Sequence, residues 1–489
     1  MSGRAMERVA IAVGLVLAAV SSPALAQVAL RAAKVYVGNG EVIENGVVLI
    51  EDGKIAAVGA DLRIPRGMDT IEIEEGSITA GLIDANASIE RRDIFVRDQL
   101  PGGELRRLLH KNFGAPREGG CDSCATCPLI LSHDQLAVGE ICPVCTYPTH
   151  GMVSSLTAPG VIPDALSTEA ISEVVPHTRV LDALNLRSED FDRLLLSGVT
   201  TVLAMPDSSA VIGPQPALVH TAGPLASRVL DRSAGVKAVI GSDPYSTGLG
   251  NSPPFGGRPT ARTRRPTTRM GVTWVFRKAM YDSARYEEGL EITGSDAAPP
   301  AALEALEAVR SGEQRLFVQA RSQNDIEAAE HLTDEFGLEH VLLEATEAHH
   351  SLEALAEAGR SIVYGPVYVD ASGLRARASD ASGARLGTLR ALFDAGLEPA
   401  LSAQDLRDEA GLDRQAMSAI KSGLSDAEAL RAVTVNPARI LGMEDEMGTV
   451  ETGKRADLVV WSGEPFAATS KAMVVTIDGR VALDLRDND

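Results

Sequence analysis

Apolar residues between Val28 and about Thr79 come in short runs broken by turn signals. Ala32-Ala-Lys-Val-Tyr-Val37 precedes Gly38-Asn39-Gly40. Gly46-Val-Val-Leu-Ile-Glu51 precedes Asp52-Gly53, and Lys54-Ile-Ala-Ala-Val-Gly59 follows. An Asp-Gly pair between two such runs predicts a β-hairpin. The same character returns near the other end in Gly448-Thr-Val450, Ala456 to Trp461 and Ala472 to Arg480. Neither set has enough strands to bury a sheet face alone. The two sets are therefore expected to pair into one small composite β-sandwich from residues 27–80 and 441–489, since chain ends often meet in space.

The long middle, 81–440, alternates strand-like runs with helical periods. Gly198 to Met205, Val236 to Ile240, Leu316 to Ala320, His340 to Glu344, Ser361 to Tyr364 and Glu398 to Ser402 read as strands. Pro299 to Val309 carries alanines and leucines on one stripe, with Gly312 as a stop. Asn324 to Phe336 places Ile326, Ala329 and Leu332 at helical spacing, with Asn324 as the expected cap and Gly337 as the end. Strands separated by helices mean βα units and a parallel sheet. The fold class expected is therefore α/β, a (β/α)₈ TIM-type barrel whose site lies at the C-terminal ends of its strands.

About Asp93 to Leu166 breaks this pattern, being rich in Gly, Pro and Cys without a sustained period. An irregular stretch of that length is a functional loop or an inserted module. All five cysteines lie within the expected insert, 112–150: Cys121, Cys124, Cys127, Cys142 and Cys145. Cys124-x-x-Cys127 with Cys142-x-x-Cys145 has the spacing of zinc-ribbon knuckles, with Cys121 as the spare residue. The expectation is a structural Zn (or Fe) site, with two disulfides and a free thiol as the alternative in an oxidising compartment. A second irregular segment crowds Arg258, Arg262, Arg264, Arg265 and Arg269 among prolines and glycines. It reads as a subunit interface, or as an anion clamp near the barrel mouth.

The first 26 residues read as a signal peptide. Arg4 and Arg8 precede the apolar run Val9 to Val20, and Ala24-Leu25-Ala26 offers a small-x-small cleavage site. The expected location is periplasmic or secreted, with no membrane span after cleavage. The 489-residue chain is 45% hydrophobic and 4% aromatic, with a formal net charge of −21. Such an acidic chain repels phosphate backbones, which excludes nucleic acid as a partner.

Two stretches resemble the amidohydrolase superfamily, in particular its imidazolonepropionase-like branch. Ser77-Ile-Thr-Ala-Gly-Leu-Ile-Asp84 resembles the entry into the first barrel strand. Leu430-Arg-Ala-Val-Thr434, Asn436-Pro-Ala-Arg-Ile-Leu-Gly442 and Gly448 to Val459 resemble the C-terminal signature. Asn436 also reads simply as a helix cap, with Gly442 ending the helix. The resemblance implies a barrel whose ancestral activity is hydrolysis of non-peptide C–N bonds by metal-activated water.

At the positions where this resemblance implies metal ligands, the chain departs from the pattern. The first His-x-His pair is replaced by Asn86 and Ser88, and the fifth-strand histidine by Gln319. The sixth-strand position falls near Glu344, and the eighth-strand aspartate matches Gln404, with Asp405 one residue later. Lys237 is the candidate bridging lysine. Amide and hydroxyl oxygens are poor zinc ligands. His349 and His350 follow the sixth strand, and His177 and His220 could enter the mouth. No cofactor is expected in the barrel.

The reading is a pseudoenzyme or partner subunit, holding a small-molecule ligand in the mouth or forming a homo- or hetero-oligomer with an active relative. One alternative is an active hydrolase of non-peptide C–N bonds with a non-standard site, using Glu344, Glu347 or Asp405 as acid or base. Another is a Cys-rich redox module carried on the barrel.

Overall fold

The computed structural model describes residues 27–89, 172–246, 266–294, 297–367, 384–404 and 410–486. In chain order, β1 (Val28–Tyr36), β2 (Val42–Glu51), β3 (Lys54–Ala60) and β4 (Asp69–Ala80) lead into β5 (Leu82–Ala87). After helix α1 (Glu189–Leu196) come β6 (Val199–Ala204), β7 (Ala217–His220), β8 (Val229–Asp231) and β9 (Val236–Val239). Short α2 (Asp243–Ser246), α3 (Arg269–Glu287) and α4 (Pro300–Arg310) precede β10 (Leu316–Ala320). Then follow α5 (Gln323–Phe336), β11 (His340–Glu344), α6 (Leu352–Glu357), β12 (Ser361–Tyr364), α7 (Thr388–Asp394) and β13 (Ala400–Leu401). Helices α8 (Leu412–Lys421), α9 (Asp426–Val433) and α10 (Val435–Leu441) lead to β14 (Leu458–Trp461), β15 (Ala472–Ile477) and β16 (Arg480–Asp484).

Strands from the two ends form one seven-stranded sheet, ordered β16-β15-β14-β4-β1-β2-β3. The seam is antiparallel, with Ala80 opposite Leu458 and Ser77 opposite Trp461. Where a sandwich of two sheets is the expectation from sequence, the strands hydrogen-bond as a single sheet. Its buried face draws on both ends, with Leu30, Ile50 and Ile78 packed against Leu458 and Val460. Gly448 to Val450 is not a strand, although the Val450 N–H donates to the Val37 carbonyl at 2.8 Å.

Strands β9 to β13 form a parallel sheet in spatial order β13-β12-β11-β10-β9. Strands β5 and β6 pair in parallel, and β7 and β8 add an antiparallel hairpin to β6. That hairpin escaped the sequence reading because its strands are only four and three residues long. The parallel strands are buried on both faces, as strands covered by helices must be. Alternate residues split between two cores. Phe317, Leu343 and Val363 join Ile83 and Leu203 in one, whereas Val318, Leu342 and Ile362 face the helices.

Two expected caps are corrected. Helix α5 is capped by Ser322, whose side chain accepts from the Asp325 N–H, so Asn324 lies inside the first turn. Asn436 lies inside α10, and its side chain donates to the Pro399 carbonyl at 2.9 Å, tying α10 to the start of β13. Gly442 ends α10 at φ 68, as the sequence predicts. Of the arginine stretch, only Arg269 is described. It opens α3 and forks onto Asp325 of α5 at 2.7 and 3.0 Å, a pairing within the chain. No helix among the described residues is long and apolar enough to cross a membrane.

Helix α9 starts with a capping box between Ser425 and Glu428. Burial, the strongest influence on Glu428, acts to raise its pKa. Hydrogen bonds from Arg390 and Ser425 outweigh burial and bring it from 4.5 down to about 2. A carboxylate with a depressed folded pKa contributes its full stabilisation above the unfolded value and loses it as pH falls through the folded one. Thermal unfolding between pH 4.5 and about 2 should therefore lose less Tm per pH unit in Glu428→Gln than in the wild type. Parallel Tm-versus-pH curves would contradict this assignment.

Candidate functional site at the strand ends

The C-terminal ends of the parallel strands carry two connected polar groups. The first links β5 to β13. Asp84 is fully buried and accepts from the Ser402 hydroxyl at 2.6 Å, the Asn86 N–H at 3.0 Å and the Ala403 N–H at 3.0 Å. The Ser402 hydroxyl also reaches the Asn86 carbonyl, and the Ser88 N–H donates to the Gln404 carbonyl. The Gln404 side chain donates to the Gly365 carbonyl at 2.9 Å. Gly365 is required there, because a Cβ would lie 2.2 Å from the Ser402 carbonyl oxygen and φ is 141. Asn86, Ser88 and Gln404 are thus held in one network that fastens two strand ends together.

The second group spans β9, β10 and β11. The Lys237 ammonium donates to the Pro206 and Asp207 carbonyls and to the Ser208 hydroxyl. Ser208 donates to Gln319 Oε1 at 2.7 Å, and Gln319 Nε2 donates to Asp243 at 2.9 Å. Arg321 then bridges Asp243, at 2.8–2.9 Å, and Glu344, onto which both Nε and Nη2 donate. Burial is the strongest influence on Arg321 and opposes its charge. The carboxylates of Glu344 and Asp243 overcome it and hold the pKa above the ordinary arginine value.

Glu344 ends β11 in the left-handed region, φ 69, and Ala345 follows at φ 48. Such a conformation costs roughly 1–2 kcal/mol per non-glycine residue. The Ala345 N–H, 3.0 Å from the Ala320 carbonyl, and the fork onto Arg321 hold the turn in place. In this position the Glu344 carboxylate is paired with a guanidinium, as the arginine-rich composition allows.

Lys237, Gln319 and Glu344 are therefore brought together, through Ser208, Asp243 and Arg321. Glu347 does not join them, because its carboxylate accepts from the Gln323 N–H at the start of α5. His349 is half-buried and meets the Thr388 hydroxyl at 3.0 Å, while His350 and His177 are exposed. His220, expected near the mouth, is at the other end. It pairs in register with Thr201, close to where β6 starts. Asp405 and Cys121, Cys124, Cys127, Cys142 and Cys145 lie outside the described residues. The sequence reading missed Arg321 and Asp243. Arg321 stands two residues after Gln319, and such a spacing on a strand returns a side chain to the same face.

Residues 400–482 match the profile of the Amidohydrolase family. The amidohydrolase tasK of Hapsidospora irregularis is 28% identical over 360 residues, 69% of this chain and 35% of tasK. A crystal structure of an amidohydrolase from Thermotoga maritima aligns with a TM-score of 0.68 at 25% identity, over 94% of this chain and 100% of that one. The profile match, the tasK relative and the Thermotoga structure support membership of the amidohydrolase superfamily. Its likeness to an imidazolonepropionase of Sphingopyxis alaskensis reaches 52% identity but covers only 50 residues, 10% of this chain and 12% of that enzyme. The chain spans about a third of tasK (35%).

In this chain the strand-end donors are an ammonium, amides, hydroxyls and carboxylates already engaged by Arg321. Such a set does not fit a zinc-type water-activating cation, whose usual ligands are imidazoles and carboxylates. Among the described residues, one group of histidine and carboxylate donors does converge, and it lies elsewhere: His220, Asp457 and Asp478.

Proposed function

We propose that this amidohydrolase-superfamily chain closes a (β/α)₈ barrel and has lost metal-dependent hydrolysis at its mouth, retaining the pocket as a binding site for a small polar ligand or as part of a partner subunit. The observation that carries the reading is the Arg321 guanidinium seated on Glu344 and Asp243. A fixed positive charge there already compensates the carboxylates, as a cation would in a catalytic relative. A general-base role for Glu344 is disfavoured for the same reason, since its two oxygens accept from Arg321. Closure of the barrel is supported by the Asp84–Ser402 link between β5 and β13 and by the core that β5 and β6 share with β10 to β13.

The test is a hydrolysis assay on a panel of cyclic amides with added Zn²⁺ or Mn²⁺, beside chelated controls. The expected result is no turnover above buffer. Turnover that chelation abolishes, that Glu344→Gln removes and that His220→Gln leaves intact would overturn the reading. The paired variants separate the mouth from the donors at the opposite end.

A further inference from the structure

At the N-terminal end of β5 and β6 a cleft of about 570 Å³ opens against the seven-stranded sheet, lined by His220, Gly223, Asp445, Arg455 and Asp478. His220 comes from the β7–β8 hairpin. Asp457 immediately precedes β14, and Asp478 sits in the β15–β16 turn. One donor atom from each of these three residues can be chosen so that all lie within 4.8 Å of one another.

The hydrogen bonds leave particular atoms for a cation. His220 Nδ1 lies 3.2 Å from the Thr201 hydroxyl and 3.4 Å from the Thr200 carbonyl. A ring N–H donated to that carbonyl leaves Nε2 with its lone pair, the arrangement found behind metal-bound histidines. Nε2 is buried and has no hydrogen-bond partner among the described residues. Asp457 Oδ1 accepts from the Asp478 N–H at 2.7 Å, whereas its buried Oδ2 has no hydrogen-bond partner and lies 3.9 Å from the His220 ring at Nδ1. Asp478 Oδ2 lies 3.9 Å from His220 Nε2, and Asp478 Oδ1 takes Arg455 at 2.8 Å. Arg455 compensates one of the two carboxylates. The other is buried beside the His220 ring with one oxygen that accepts no hydrogen bond, a costly state for a carboxylate charge.

We propose that His220 Nε2, Asp457 Oδ2 and Asp478 Oδ2 bind a first-row divalent cation of the zinc class, with its remaining coordination positions facing the cleft. One imidazole and two carboxylates suit such an ion better than Ca²⁺ or Mg²⁺, which take oxygen donors alone. The ion fastens the β7–β8 hairpin to the sheet built from the chain's two ends. This site is independent of the strand-end site, which faces the other way along the strands.

The test titrates the full-length chain with Co²⁺, reading the number bound by equilibrium dialysis and the ligand type by absorption. Thiolate-bound Co²⁺ shows an intense near-ultraviolet charge-transfer band, whereas an ion on nitrogen and oxygen does not. The expected result is one ion without that band, retained in Cys124→Ser/Cys142→Ser. Its affinity should weaken at least about 10-fold in Asp457→Asn and in His220→Gln. Circular dichroism and metal-free unfolding check that these variants fold. Should either fail, Asp478→Asn, altered at a turn, gives the same reading. Unchanged affinity in the folded variants, or no ion beyond those on thiolates, overturns the proposal.

Discussion

Arg321→Met should lower the unfolding free energy by about 3–5 kcal/mol, the range for removing one partner of a buried ion pair. Arg321 is nine-tenths buried, and so is Glu344. Methionine keeps much of the volume but removes the guanidinium that Glu344 and Asp243 share. Buried carboxylates that lose such a cation take up a proton more readily in the folded state than in the unfolded chain. Groups whose folded pKa is raised favour folding at low pH, so the variant should regain stability as pH falls toward the ordinary carboxylate range. Adding Glu344→Gln and Asp243→Asn to Arg321→Met should recover much of the loss, because neither carboxylate charge remains. Urea unfolding at two pH values measures all of this. A loss below about 1 kcal/mol would place the pair with exposed ion pairs and remove the basis for reading the strand-end site as internally compensated.

Trp461→Ala is the second large effect, at about 3–5 kcal/mol. Trp461 ends β14 and is 1% exposed. It packs in the core that holds Leu82 and Val199 of the parallel strands, and its ring meets Phe466 edge-on with centroids 5.7 Å apart. The indole N–H donates to the Thr79 hydroxyl at 2.9 Å. The side chain therefore anchors the composite sheet to the α/β layer, and alanine would leave a cavity at that junction. Trp461→Phe should cost less, since it keeps most of the buried area and gives up mainly the hydrogen bond. The sequence has two tryptophans, and Trp274 is 62% exposed. The blue-shifted part of the fluorescence should accordingly vanish in Trp461→Phe. A spectrum unchanged by that substitution would contradict the buried position.

Local patterns were legible where the information is local. The runs at Leu316 to Ala320 and His340 to Glu344 coincide with β10 and β11 residue for residue, since a doubly buried strand reads as a short, mostly apolar run. Helix α5 was equally plain, yet its cap was missed by two residues because Ser322 and Asn324 are both good caps. Also visible, once the flanking motifs fixed the positions, was that Asn86, Ser88 and Gln319 stand where the resemblance implies histidines and Gln404 where it implies an aspartate. What those residues do was not visible. Asn86 and Gln404 serve a network around Asp84, and Gln319 serves one around Asp243.

By itself the sequence determined the element types, the α/β class and the absence of imidazoles from the expected ligand positions. Each of these is written in side-chain periodicity or residue identity over a few neighbours. Only the tertiary structure decided that β4 pairs with β14, that Arg321 takes Glu344 and Asp243, and that His220 meets Asp457 and Asp478 far from the strand-end site. Ser402 and Asp84 are 318 residues apart, and Trp461 and Thr79 are 382 apart. Which charge meets which across such separations depends on how the sheets pack, and no local spacing along the chain encodes it.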